Sequence, residues 1–144
     1  MTVAPETPAE RIVWRALVWT WPFYAFGALY IVGPVLAWIL AAFAVLALYF
    51  GDALKPDLRP TGSIPALVWL WIAGMLVMLL ALWFGHLDWG LGLKQTIKSS
   101  IGWAKGWALL ALFPLAGAVL QIRREVLIRA QGYVALCTLL FAPL

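Results

Sequence analysis

Residues 16–51 read ALVWTWPFYAFGALYIVGPVLAWILAAFAVLALYFG, thirty-six residues between Arg15 and Asp52 without one charged side chain. A second uncharged run extends from Val68 through Gly85. A chain of 144 residues cannot fold that much apolar surface away from water, whereas a hydrocarbon core about 30 Å thick accepts roughly 20 apolar residues per helical crossing. Composition agrees: 65% of the residues are hydrophobic, 11% are charged and the mean hydropathy is +0.97, against about 25% charge in soluble domains. The sequence therefore reads as an all-α, polytopic transmembrane protein with four to five membrane helices.

As a single helix the first run would reach about 50 Å, so it must turn. Gly33-Pro34 is the expected turning point, because proline suits a first helical turn and pushes the preceding residue out of helical dihedrals. Gly27 is the alternative, and Pro22 is expected to kink the first helix. Helices are thus expected near 11–30 and 34–50. Residues 51–63 change to Asp52, Lys55, Pro56, Asp57, Arg59, Pro60 and Gly62, the mixed charge and turn chemistry of a loop. Ser63 and Pro65 open a third helix, 64–84, with Trp69, Trp71 and Trp83 near its ends. A loop at 85–92 leads into one long helix, 93–120, basic in its first half and bent at Pro114 in its second. A last helix at 126–144 follows Arg123, Arg124, Glu125 and Arg129. It ends without a polar flank, so the chain is expected to be the N-terminal part of a larger protein. Residues 1–10 lack a basic n-region and cleavage site and read as a retained, disordered cytoplasmic tail.

Seven basic residues, Arg11, Arg15, Lys55, Arg59, Arg123, Arg124 and Arg129, fall on one side of these helices, and Lys94, Lys98 and Lys105 on the other. That imbalance places the N-terminus in the cytoplasm and the lysines toward the outer face of a bacterial inner membrane. The net charge of +4 and the pI near 9.6 are spread in short segments between apolar runs. Such a pattern suits membrane lipids and not nucleic acid.

Lys94, Lys98 and Lys105 are spaced by four and seven, which gathers them on one helical face. Three ammonium groups at a membrane surface could hold a diphosphate or another anionic headgroup; equally, they could snorkel to ordinary lipid phosphates. His86 and Asp88 are the neighbouring acid–base residues of the outer side, open to proton transfer or to a plain interfacial role. A sole histidine and a sole cysteine, Cys137, exclude a multi-imidazole metal site, a bis-histidine haem and an intramolecular disulfide. No metal or other cofactor is expected. Most of the ten tryptophans fall near helix ends, as interfacial anchors; Trp89, Trp103 and Trp107 on the lysine side could instead stack on carbohydrate. Arg123, Arg124 and Arg129 suit anionic lipid at the cytoplasmic surface. Gly102 and Gly106 form a GxxxG pair that would let another transmembrane helix approach closely.

The succession of two coupled N-terminal helices, Asp57-Leu58-Arg59-Pro60, a Trp-rich third helix, and Trp89-Gly90-Leu91-Gly92-Leu93-Lys94-Gln95-Thr96-Ile97-Lys98 leading to Gly102-Trp103-Ala104-Lys105-Gly106-Trp107 resembles the N-terminal part of bacterial O-antigen ligases and polysaccharide polymerase-like membrane proteins. The resemblance covers nearly all of this chain and about the first third of such a protein. It implies a multi-pass inner-membrane protein that transfers a sugar chain from an undecaprenyl diphosphate carrier to an acceptor. Such proteins keep their essential Arg and His residues in a large periplasmic loop between later helices, so the resemblance carries no catalytic residue onto this sequence. Lys94 and Lys98 are the residues expected to meet the diphosphate. A small non-catalytic subunit using its GxxxG face is the alternative. A transporter fragment would be expected to hold ionisable groups at mid-membrane, and both long runs hold none.

Overall fold

The computed structural model describes residues 4–51 and 63–141. The mixed-charge loop at 52–62, including Asp57-Leu58-Arg59-Pro60, and the first and last three residues lie outside them. The described residues form helices and no strand: α1 (Pro8–Val18), α2 (Thr20–Ala25), α3 (Leu29–Phe50), α4 (Ala66–Asp88), α5 (Gly92–Lys105), α6 (Leu109–Val119) and α7 (Arg124–Phe141).

Two of them, α3 and α4, are long and apolar enough to cross a membrane, and α5 with α6, bent by 41° at a short break, would make a third crossing as one broken span. In α4 the physical reason is plain. Val68 is its only buried residue, while Leu70, Trp71, Leu76, Val77, Leu80, Trp83 and Phe84 all stand exposed. A helix apolar on every side is stable only where its surroundings are apolar too.

Inside, the helices meet on small side chains. Ala37, Leu40, Ala41, Ala44 and Ala47 recur at helical spacing along α3 and are all buried. Ala108, Ala111, Leu115, Ala116 and Val119 do the same along α6. With hydrocarbon outside, burying a large side chain yields little, so close backbone approach over small residues is what holds such a pair. Contacts then run from α3 to α1 and from α1 to α7 on one flank, and from α6 to α4 on the other.

The first hairpin turns at Gly27 and not at Gly33-Pro34. Gly27 has φ +68°, Ala28 N–H donates to the Phe23 carbonyl at 2.8 Å and Gly27 N–H to the Tyr24 carbonyl at 2.9 Å. These two bonds seal the end of α2 and require a left-handed residue between them, which glycine supplies without a Cβ clash. Pro34 instead lies inside α3, where it forfeits one backbone donor that a membrane helix tolerates. Pro22 acts as expected: its ring crowds the carbonyl four residues earlier, and α1 ends at that residue, Val18. The helix at 93–120 is two helices. It breaks at 106–108, where Gly106 has departed from helical dihedrals at φ −117°, ψ −78°, and Pro114 sits within α6. The third helix extends four residues past its expected end, to Asp88, and closes with the same two-bond seal at Gly90.

Residues 7–10 are no tail. Thr7 caps α1: its hydroxyl accepts from the Glu10 N–H at 3.1 Å, and Glu10 reaches back to the Thr7 N–H. The Glu10 side chain then continues to the chain between α6 and α7, where one carboxylate oxygen accepts from Arg123 Nε at 2.8 Å and from the Arg123 N–H at 3.0 Å. The other accepts from Arg123 Nη2 at 2.9 Å and from the Glu6 N–H at 2.8 Å. Arg123 Nη1 also meets Glu6 at 2.6 Å. Glu10 is fully buried, which by itself would raise its pKa; the Arg123 hydrogen bonds and the backbone donors of Glu6, Arg123 and Thr7 outweigh that and hold it at about 2, against an ordinary 4.5. The expectation that Arg123 faces lipid phosphate gives way to this ion pair.

Trp14 against Tyr133 (centroids 5.6 Å) and Trp21 against Phe141 (5.4 Å) show that α1–α2 and α7 run parallel from this knot. The Gly27 and Gly90 turns lie at the opposite end.

Two outcomes follow for stability in detergent micelles. A depressed carboxyl pKa stabilises the fold fully above the unfolded value, with loss as the pH falls from 4.5 toward 2. Glu10→Gln should therefore cost on the order of 3 kcal/mol at neutral pH, and the gap from wild type should close over that acid range in pH-dependent melts. Gly27→Ala should cost about 1–2 kcal/mol through its left-handed φ, whereas Gly33→Ala should be neutral or stabilising; the reverse order would return the turn to Gly33-Pro34.

Candidate functional site

The polar half of the α5–α6 pair gathers most of the candidate residues. Its sequence, GLKQTIKSSIGWAK, alternates apolar and polar groups at helical spacing, and it packs antiparallel against the end of α4. Trp83 Nε1 donates to Ser100 Oγ at 2.9 Å, and Ser100 in turn donates to the Thr96 carbonyl at 2.8 Å. His86 Nδ1 lies 2.7 Å from the Leu82 carbonyl and Nε2 lies 3.0 Å from Ser99 Oγ. A carbonyl only accepts, so Nδ1 carries a proton, and in the neutral ring Nε2 accepts from Ser99.

His86 is thus part of a helix–helix lock on α4 and not a loop residue. Asp88 stands two residues further along the same helix, on another face, and is exposed. The two are therefore no acid–base pair. Ser99 and His86 have the separation of a nucleophile and its base, but Ser99 is not among the residues lining the neighbouring cavity. That cavity is an open groove of about 800 Å³ between α4 and α5, bounded by Leu87, Leu93, Ile97, Ile101 and Ala104 with Trp83, His86 and Ser100. Its polar side chains are already engaged: Trp83 with Ser100, His86 with Ser99 and the Leu82 carbonyl, and Thr96 with the Gly92 carbonyl.

Lys94, Lys98 and Lys105 are all exposed on α5, and no carboxylate pairs with them among the described residues. They do not act as three equals. Lys94 and Lys98 are one turn apart, about 6 Å along the axis, while Lys105 is about 10 Å further. Lys105 Nζ sits 5.9 Å from the Tyr30 ring centroid, at the limit of a cation–π contact, and borders a pocket of about 320 Å³ against Pro34 and Trp38 of α3. An anion the size of a diphosphate can meet Lys94 and Lys98 together, with Lys105 beyond its reach.

Among the described residues, Gly102 and Gly106 pack against no other helix. A Cβ at Gly102 would meet nothing within 4 Å, and one at Gly106 would meet only the Gly102 carbonyl, at 3.4 Å. Gly106 serves the helix break instead. Nor are Trp89, Trp103 and Trp107 brought into one stacking platform: Trp89 and Trp107 are exposed, and Trp103 buries its indole N–H without a partner among the described residues. Other tryptophans tie helices together through their N–H groups, Trp21 to Thr138 at 3.2 Å and Trp38 to the Ala104 carbonyl at 3.0 Å. Cys137 is free and partly buried, and no group of three His, Cys, Asp or Glu side chains suited to a metal ion occurs among the described residues.

Sequence reasoning missed the Glu10–Arg123 knot and the His86–Ser99 lock. The first had a visible signal, since Thr7-Pro8-Ala9-Glu10 has the Thr-x-x-Glu spacing of a capping box. The second had none, because it depends on how α5 folds back along α4.

Interhelical hydrogen bonds in membranes are worth about 0.6 kcal/mol on average and up to 1.7. A double-mutant cycle of His86→Phe and Ser99→Ala, read by unfolding in micelles, should return a coupling in that range; zero coupling would dissolve the lock. No family model, no curated protein and no solved structure matches this chain.

Proposed function

We propose that this chain is the membrane-embedded portion of a glycan ligase or polymerase, in which Lys94 and Lys98 hold the diphosphate of an undecaprenyl-linked glycan. One observation carries the proposal: two lysines one turn apart, exposed, without a counterion among the described residues, at the end of the bundle opposite the Glu10–Arg123 knot. Counting helical rise back from Leu120 and allowing for the 41° bend puts Lys98 about 30 Å from the knot end. That is the thickness of a hydrocarbon core, so Lys98 meets the far headgroup layer, with Lys94 beyond it. Lys105 falls about 22 Å from the same end, below the headgroups, which accounts for its contact with an aromatic ring in place of an anion.

In this reading α1–α2, α3, α4, α5–α6 and α7 are five crossings of a bacterial inner membrane. The more basic knot end, with Arg11, Arg15, Arg123, Arg124 and Arg129, is cytoplasmic, and the lysine pair faces outward. The chain binds and orients; the transfer chemistry belongs to groups outside it. A second reading has its own support. The open space beside Gly102, on an exposed face of α5, suits a partner helix, as in a non-catalytic subunit of a membrane complex.

Lys94→Ala with Lys98→Ala should weaken binding of a polyprenyl diphosphate to the protein in micelles by at least tenfold, while Lys105→Ala leaves it within twofold, as read by titration with a labelled lipid. Unchanged binding in the double variant would remove the diphosphate site and leave the subunit reading.

A further inference from the structure

A second basic pair, at the knot end, has no counterion among the described residues. Arg11 and Arg15 are one turn apart on α1 and both exposed. The acidic residues nearest them in sequence, Glu6 and Glu10, are both engaged by Arg123. Among the described residues no carboxylate pairs with either arginine.

The face of α1 that carries this pair continues as an apolar track. Arg11, Arg15, Trp19 and Phe23 follow one another at intervals of four, and the Trp19 and Phe23 rings are 6.5 Å apart. The break at Trp19 turns the ladder without ending it. Opposite lies α3, and between them runs an open groove of about 690 Å³ walled by Ile12, Trp19, Phe23, Val32, Val35 and Leu36. Among the described residues, Arg15 is the sole charged one on its lining.

We propose that this groove binds one anionic phospholipid, its phosphate between Arg11 and Arg15 and an acyl chain lying along Trp19 and Phe23 against α3. The two chemistries of the groove match the two ends of such a molecule. Arg15 is about 7 Å along α1 from Glu10, on the hydrocarbon side of the knot. A guanidinium there is costly without an anion and forms paired hydrogen bonds to a phosphate. The apolar remainder offers nothing to a free phosphate, so the occupant is a lipid and not an inorganic ion. The volume lies within the range, about 300–1,000 Å³, of sites that enclose small molecules. This site lies at the opposite end of the bundle from Lys94 and Lys98 and stands whether or not those lysines meet a diphosphate.

The test uses the whole chain in micelles, carrying Lys94→Ala and Lys98→Ala so that the lysine pair contributes nothing. It is given equal amounts of phosphatidylglycerol and phosphatidylcholine with identical chains, and retained lipid is counted by native mass spectrometry. One phosphatidylglycerol should be retained in preference to phosphatidylcholine by roughly thirtyfold, each arginine contributing a factor of about five. Arg11→Gln with Arg15→Gln should abolish the preference, and Arg124→Gln should leave it intact. Ala16→Leu, which keeps both arginines and narrows the groove, should lower retention of both lipids. It also serves as the test if the arginine variant does not fold. Equal retention of the two lipids, a preference that survives loss of both arginines, or full retention in Ala16→Leu would each overturn the proposal.

Discussion

The Glu10 carboxylate holds the two ends of this fold together. It caps its own helix, accepts three hydrogen bonds from Arg123 across 113 positions of sequence, and is fully buried while doing so. A buried carboxylate without partners would be prohibitively costly, so once α1 forms, Arg123 has one place to go. That fixes where α6 stops and α7 starts, and sets α7 parallel to α1. It also withdraws negative charge from the neighbourhood of Arg11 and Arg15, so the electrostatics of the α1–α3 groove are a consequence of the knot.

Elsewhere the molecule is organised by what surrounds it. Large side chains point outward along α3 and α4, and alanines line the seam between α3 and α6. A protein in water would reverse this arrangement, because burying Leu, Phe and Trp is what drives its folding. In hydrocarbon that drive is absent, and packing with interhelical hydrogen bonds must select the arrangement. The bonds from Trp21, Trp38 and Trp83, and the His86–Ser99 contact, are distributed accordingly: Trp21 ties α2 to α7, Trp38 ties α3 to α5, and Trp83 and His86 together tie α4 to α5. Tryptophans whose number suggests interfacial anchoring thus include several with a second task inside the bundle.

The lysine stripe was legible in the sequence because it depends only on helical periodicity within one short element. The spacing of four and seven also sets Lys105 apart from the other two, but what Lys105 meets was not legible, since Tyr30 lies seventy-five positions away in the chain. The turn at Gly27 shows another limit. Gly33-Pro34 has the stronger local signature, yet the two hydrogen bonds that seal α2 require a left-handed residue, and Gly27 occupies that place. Proline sets a preference for its own surroundings; a helix end is decided by whether its last carbonyls find donors. For the same reason α5 and α6 part at Gly106, which is free to leave helical dihedrals, while Pro114 remains inside α6.

Taken alone, the sequence determines the helical class and the presence of helices long and apolar enough to cross a membrane, because both follow from composition and run length, which no tertiary contact can alter. It determines as well which residues share a helical face, since that needs only the rise and rotation of one helix. The tertiary structure alone decides which charges are cancelled: Arg123 is consumed by Glu10, and among the described residues Arg11, Arg15, Lys94 and Lys98 find no carboxylate. Ion pairing depends on distances of a few ångströms between segments far apart in the chain, and those distances exist only once the helices have packed.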